Sequence, residues 1–303
     1  MTKILVVGSS NVDLTARVAH LPVPGETVTD AQFEQTLGGK GANQAVAAAR
    51  LGGDVNFVTM LGRDSYASQF ISQFESVGIE MSYILDTDAA PTGTAFIFVS
   101  SSGENCIAVA PGANSYLTPD KVDVFREAVD AADVVVMQAE IPYETVVKIA
   151  VDAAAKGKSV LYNPAPACNV DDRLIKAITT MVLNEVEASV VSGIQYDGNN
   201  LDEIADSLIA RGVKNVVITL GGDGVYMRNA DTVLRIPSHK VNVVDTVAAG
   251  DTFCGALAAR GVVDKESLEF ANAAAAIAVT RPGAQSSIPT IEEVTNFIQN
   301  NYV

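Results

Sequence analysis

Histidine and cysteine are scarce in this chain, and their scarcity narrows its chemistry. His20 and His239 are the two histidines, and Cys106, Cys168 and Cys254 the three cysteines, in 303 residues. No C-x-x-C or H-E-x-x-H spacing joins them, so neither a zinc centre nor a disulfide framework is indicated, and a reducing, cytoplasmic setting is expected. Basic residues are also few: 20 Lys plus Arg stand against 36 Asp plus Glu, for a formal charge of −16. That field makes nucleic acid and anionic membrane poor partners. A polyanionic ligand would have to be held locally, by helix N-termini, a lysine and a divalent metal. Long apolar runs are missing too. Ala273 to Val279 comes nearest and is too short to cross a bilayer, and Lys3 to Gly8 opens as a strand, with no basic leader or cleavage site. Charged residues make up only 18% against 48% hydrophobic, a balance that rules out an unfolded chain.

What is present is an alternation of short apolar runs with helical patterns. It predicts an α/β fold of three layers, α/β/α, with a mostly parallel central sheet. Candidate buried strands are Ile4 to Val7, Val55 to Met60, Val134 to Met137, Ser159 to Tyr162, Met181 to Leu183 and Val216 to Leu220. Helices are expected over Ala42 to Leu51 and Ser65 to Val77, closed by glycines, and after Pro289, where Thr290 to Glu293 matches a capping box. Residues 14–36 and 92–110 break the alternation. The second reads as a hairpin, which has no place inside a parallel sheet. We therefore expect residues 1–13, 37–91 and 111–303 to form the main domain and 14–36 with 92–110 a small β lid. An exposed lid face carrying Phe96 and Phe98 would favour a homodimer.

Asp245-Thr246-Val247-Ala248-Ala249-Gly250-Asp251-Thr252-Phe253 places small residues and an acid at the start of a helix. Unpaired N–H groups there accept an anion, and Asp251 would stand beside it as a base, a combination suited to phosphoryl transfer. An Asp in a first helical turn that simply favours the dipole fits the nonapeptide equally well. Gly38-Gly39-Lys40-Gly41-Ala42-Asn43 also precedes a helix, without the spacing of a Walker A loop. Asn43 offers a donor and an acceptor to paired hydroxyls, and Asn11 and Asp13 follow the first strand, where Asp13 suits a vicinal diol. Glu140 lies at another strand's carboxyl end. Asn184-Glu185-Val186-Glu187 fits either hydrated magnesium or a helix cap, and Thr219 to Gly224 either an adenosine surface or a tight turn. Arg281 to Ser287, with Asp245, either ligates a monovalent cation or turns the chain. Gly8-Ser9-Ser10-Asn11 lacks the dinucleotide fingerprint of a dehydrogenase, and a non-catalytic sugar sensor would have no need of Asp251.

Taken in order, these segments resemble the ribokinase-like family of carbohydrate kinases from Ile4 to the final helix. The specific signatures are Gly38 to Asn43 with Asn11 and Asp13, and Asp245 to Phe253; Asn163 to Ala167, Asn184 to Glu187 and Thr219 to Gly224 add support. The resemblance implies phosphorylation of D-ribose at its 5-hydroxyl by ATP, giving D-ribose 5-phosphate and ADP, with fructose, deoxyribose or a nucleoside as alternative acceptors. It makes Asp251 the catalytic base and Ala248, Ala249 and Gly250 the anion hole. Asn11, Asp13, Gly38, Gly39, Lys40, Asn43 and Glu140 would hold the sugar. Asn184, Thr219, Gly221, Gly222, Gly224, Gly250 and Asn272 would contact ATP, and Glu187 would support Mg2+ through water. Asp245, Val247, Ala278, Arg281, Gly283 and Ser287 would form a K+ loop, several through carbonyls. Two departures are visible: Val247 stands where threonine is common, which leaves a carbonyl ligand intact, and Ser65-Tyr66-Ala67 follows Gly62-Arg63-Asp64 where the family usually has glycine.

Overall fold

Runs such as Val134-Val135-Val136-Met137 leave no polar face, and strands of that kind need helices on both sides of their sheet. The computed structural model describes residues 1–121 and 123–301. Its strands are β1 (Lys3–Val7), β2 (Asn11–Val18), β3 (Gln32–Gly38), β4 (Asp54–Gly62), β5 (Ile84–Thr87), β6 (Gly93–Ser100), β7 (Asn105–Ala110), β8 (Val134–Gln138), β9 (Ser159–Asn163), β10 (Thr180–Asn184), β11 (Asn215–Thr219), β12 (Val225–Arg228) and β13 (Val233–Ile236). The helices are α1 (Lys40–Arg50), α2 (Ser65–Ser76), α3 (Asp123–Ala131), α4 (Tyr143–Ala155), α5 (Asp172–Ile175), α6 (Glu185–Ser192), α7 (Leu201–Arg211), α8 (Ala249–Arg260), α9 (Lys265–Ala278) and α10 (Ile291–Asn301).

Nine strands build the central sheet in the order β13-β12-β11-β10-β9-β8-β1-β4-β5. Pairing is parallel from β5 to β11 and antiparallel where β12 joins β11 and β13. Alternation along each strand feeds two cores. Leu5 and Val7 meet Phe125, Ile149, Leu174, Val191 and Leu208 from α3 to α7. Ile4 and Val6 meet Val46, Phe70, Leu257, Leu268 and Val294 from α1, α2, α8, α9 and α10. The three layers expected from the sequence are therefore present. The capping box at α10 is also formed: Thr290 N–H donates to Glu293 Oε2 at 2.8 Å and Glu293 N–H to Thr290 Oγ1 at 3.3 Å. No helix among the described residues is long and apolar enough to cross a membrane.

A separate four-stranded sheet has the order β3-β2-β6-β7, with β6 and β7 forming the hairpin. Its strands run past the two segments singled out in the sequence, because pairing continues to Asn11, which is opposite both Gly38 and Gly93. Asn11 and Asp13 thus lie on β2, where the small sheet joins the large one. One face of the small sheet lines a cleft with Asp13, Ala95, Ile97, Ile107 and Val109. Off that cleft, Phe33, Phe96 and Phe98 are 69%, 47% and 38% exposed.

Two features position the site. The chain leaves β1 with β4 on one side and β8 on the other, and at such a switch point the loops beyond the strands' carboxyl ends part to leave a crevice. Helix α8 is buried from Asp251 to Ala258, packed between α1 and α9. Gly255 permits that approach, since a Cβ there would stand 2.5 Å from Ala47 Cβ and 2.7 Å from Ala48 N. The close packing brings the first turn of α1 against the first turn of α8.

Candidate active site

The turn from β3 into α1 closes directly over β2. A Cβ on Gly38 would stand 2.1 Å from Asp13 Oδ2, and one on Gly39, whose φ is +87°, 2.6 Å from the Asn11 nitrogen. Gly38 therefore seats Asp13 and is not itself among the cleft-lining residues. Lys40 N–H, Ser9 Oγ and Asn11 Nδ2 all donate to Glu140 Oε2, at 3.0, 2.5 and 3.4 Å. Asn114 holds Asn11 from the other side, its Nδ2 donating to Asn11 Oδ1 at 2.8 Å while its Oδ1 accepts from Ser10 N–H at 3.0 Å.

Across the cleft, Ala248 caps α8 with φ +59°, the only positive φ outside glycine among the described residues. A left-handed alanine costs on the order of 1 kcal/mol, so the surrounding loop must hold it. Ala249 and Gly250 then open the helix, where the first N–H groups lack intrahelical acceptors; Ala249 N–H leans to the Thr246 carbonyl at 3.3 Å. Asp251 is 7% exposed. Its Oδ2 accepts from Asn43 Nδ2 at 2.9 Å and its Oδ1 from Gln44 Nε2 at 3.0 Å.

Two clefts meet at this helix end. The first, roughly 530 Å³, is lined by Asn11, Asp13, Gly39, Lys40, Asn43, Glu140 and Asp251, and also by Asn184 and Glu187. The second, roughly 700 Å³, is lined by Gly221, Gly222, Gly224, Asn272 and Ala249. Thr219, Thr246 and Gly250 line both, so Asp251 sits at the junction.

One lysine serves four carboxylates here. Desolvation in the recess, reinforced by Glu140 and Asp251 and opposed by Lys40, pushes the Asp13 carboxyl up to about 7. Burial alone would depress the Lys40 ammonium, but Asp251, Glu140 and Glu187 outweigh it and hold the group above the ordinary lysine value. Glu187 is raised by burial, against the Asn184 N–H bond and Lys40. Cys254, fully buried beside Asp251 and Glu187, is pushed well above the usual thiol range and stays a thiol. The first cleft can thus receive several hydroxyl donors, and its lysine remains charged.

In the second cleft, Gly221 and Gly222 face open space, since a Cβ on either would meet nothing within 4 Å. Gly224 differs, because a Cβ there would stand 2.0 Å from the Ile236 carbonyl; packing against β13 explains it. Asn272 Nδ2 donates to the Pro237 carbonyl at 2.8 Å, and Thr219 Oγ1 to the Leu183 carbonyl at 3.2 Å. Asn184 and Glu187 form the capping box of α6, with bonds of 2.8 and 2.9 Å, and Glu187 also accepts from Asn163 Nδ2 at 3.4 Å. Among the described residues no three acid, histidine or cysteine side chains are grouped to hold a metal. A divalent ion would fit this site only with phosphate and water oxygens completing its shell and Glu187 assisting from outside.

The 281–287 loop comes back to Asp245. Asp245 N–H donates to the Val279 carbonyl at 3.2 Å, and its Oδ1 and Oδ2 accept from Val247 N–H at 3.0 Å and Gly283 N–H at 3.1 Å. Ser287 Oγ donates to the Ala284 carbonyl at 2.7 Å, and Arg281 N–H to the Ala278 carbonyl at 3.1 Å. The Arg281 side chain pairs with Glu293 at 2.6 Å, so Arg281 can offer a cation only its carbonyl. Asp245 thus ties the loop before α8 to the 281–287 turn.

Sequence reasoning missed Gln44, Gln138, Ser9 and Asn114. A glutamine closing the apolar run Val134 to Met137 and another among the alanines of α1 were the available signals. Ser9 and Asn114 have no local signature, since their roles depend on contacts more than 100 residues away.

Comparison with known proteins agrees with this geometry. The profile described as pfkB family carbohydrate kinase matches residues 1–291. Ribokinase of Staphylococcus aureus is 39% identical over 96% of this chain and 98% of its own, and deoxyribokinase of Salmonella typhi 35% identical over 98% and 99%. Among solved structures, Arabidopsis thaliana ribokinase complexed with ribose and ATP superposes with a TM-score of 0.90 at 29% identity, covering 99% of each chain.

Proposed function

The chain belongs to the pfkB family of carbohydrate kinases, and from that premise we propose that it transfers the terminal phosphoryl group of ATP to the 5-hydroxyl of D-ribose. The observation that carries this reading is the buried Asp251 carboxylate at the N-terminus of α8, where a polar, carboxylate-lined cleft opens into a glycine-lined one. In the first cleft Asp13 accepts from two adjacent sugar hydroxyls, with Asn11, Asn43, Lys40 and Glu140 completing the grip. Asn43 Oδ1 is buried without a protein partner and offers a further acceptor. Asp251 takes the proton of the attacking hydroxyl, and the first N–H groups of α8 stabilise the charge on the group in transit. Mg2+, held chiefly by phosphate oxygens and water, would neutralise the nucleotide, which the net charge of −16 otherwise repels.

Potassium at Asp245 and the neighbouring carbonyls would fix the loop that leads into Ala248. The exposed Phe33, Phe96 and Phe98 support a homodimer through the small sheet, and the free cysteines support a cytoplasmic setting. A deoxyribokinase reading has a relative behind it, but Asp13 opposite two hydroxyls favours a sugar that retains both. Coupled ADP-release assays with ribose, 2-deoxyribose and fructose decide between them. Ribose is expected to give the highest kcat/KM; equal or better use of 2-deoxyribose would overturn the assignment.

A further inference from the structure

Gln44 and Gln138 are fully buried polar side chains that the proposed reaction has not yet used. Gln138 Nε2 donates to Gln44 Oε1 at 2.8 Å. Gln44 Nε2 donates to Asp251 Oδ1 at 3.0 Å and to Asn163 Oδ1 at 3.2 Å. Asn163 Nδ2 donates to the Val182 carbonyl at 2.9 Å and to Glu187 Oε2 at 3.4 Å. Each amide's orientation is dictated by the next. The Val182 carbonyl can only accept, so Asn163 turns its nitrogen there and its oxygen to Gln44; Gln138 donates to Gln44 Oε1, so the Gln44 nitrogen faces the carboxylate. Among the described residues Gln138 Oε1 has no hydrogen-bond partner, and it lies against Gly8, where a Cβ would stand 2.1 Å from it.

Asn43 and Gln44 treat Asp251 differently. Asn43 lines the first cleft, within reach of a ligand there, whereas Gln44 is fully buried and is not among the lining residues. Resting on the proposed kinase reading, we infer that Gln44 is the positioning residue of Asp251: held by Gln138 and tied through Asn163 to Glu187, it anchors Oδ1 and leaves Oδ2 to take the proton. Lys40 from α1, Asp13 from β2, Glu187 from α6 and Cys254 from α8 itself also face this carboxylate through space. None of them has a hydrogen bond to Oδ1 among those described.

Gln44→Met keeps the side chain's length and removes its donor, and Gln44→Glu keeps its shape and sets a carboxylate against Asp251. Steady-state kinetics with ribose and Mg-ATP should show kcat falling by ~10-fold or more in Gln44→Met and at least as far in Gln44→Glu, with both KM values within about 3-fold, the pattern of a donor that acts on the base. Gln138→Met should lose about 3- to 10-fold, and the double variant should be no slower than Gln44→Met, because both act through one bond. Calorimetric ribose binding confirms that each variant is folded. Full turnover in Gln44→Met, a kcat loss matched by KM, or multiplying losses in the double variant would each overturn the inference. Absence of ribose-dependent ADP release in the parent protein would instead overturn the kinase reading beneath it, so the two failures are distinguishable.

Discussion

The two clefts that meet at Asp251 are built from different materials. The sugar side is made of side chains, Asn11, Asp13, Lys40, Asn43, Glu140 and Asp251, all but Lys40 fixed by a second polar group or by a glycine pressed beneath it. The nucleotide side is made largely of backbone and small residues, with Gly221, Gly222 and Gly250 facing open space. Side chains with fixed donors and acceptors discriminate one hydroxyl pattern from another, while bare backbone accepts a phosphate chain whatever hydroxyl it is passed to. Glycine itself has opposite meanings in the two halves. Gly38 is required by the protein's own packing, whereas a Cβ on Gly250 would enter open cleft space.

The largest break in this comparison is at the junction. Asp251→Asn should cost at least ~100-fold in turnover, the usual contribution of a positioned base, while ribose and ATP binding persist by calorimetry; turnover within tenfold of the parent would remove the base from the mechanism. Next comes the sugar side. Asp13→Asn should raise the KM for ribose by ~10-fold or more and leave the KM for ATP unchanged, since hydrogen bonds to a charged acceptor are lost. The sign of its pH dependence follows from a carboxyl that titrates near 7 in the fold and at 3.8 outside it. Protonation stabilises the free protein fully below 3.8, and that contribution is lost as the pH rises through about 7. Sugar hydroxyls favour the ionised form, so ribose affinity should weaken as the pH falls through about 7, and Asp13→Asn should show a flat profile and a melting temperature above the parent's on the alkaline side.

Two alanine substitutions sharpen the contrast between the glycines. Gly250→Ala adds a Cβ that meets no protein atom within 4 Å, so its melting temperature should hold, while turnover falls by about 10-fold as the methyl enters the phosphoryl path. Gly38→Ala should lose about 1–3 kcal/mol of stability from overpacking against Asp13, together with ribose affinity. Comparable melting temperatures for the two would refute the distinction. The smallest effect is expected at the cation loop. Potassium in place of sodium should raise turnover a few-fold, and Asp245→Ala should abolish the difference; equal rates in both salts in the parent protein would remove the ion from the account.

Strands such as Ile4 to Val7 were legible because burial on both faces leaves a continuous apolar run, and α10 because its capping box is local. Asp13 stood out because it follows the first strand, and Asn43 and Asp251 because each stands among small residues at a helix start; the structure brings all three to the lining of one cleft. The edge strands β5 and β13 were not legible, being four residues each with mixed burial. Gln44 could not be assigned from its helix, since its partners come from β8, β9 and α8.

By itself the sequence determined the layer architecture, through the period of its apolar residues, and the chemistry on offer, through the acids, amides and glycines placed at strand ends and helix starts. Only the tertiary structure decided which of those groups share a site. Asp251 meets Asn43 and Gln44 across more than 200 residues of chain because α1 and α8 pack at a glycine. The physical reason is that secondary structure follows from periodicity within a few turns, whereas hydrogen-bond partners and the titration of Asp13 follow from what long-range packing brings near and from how much water it removes.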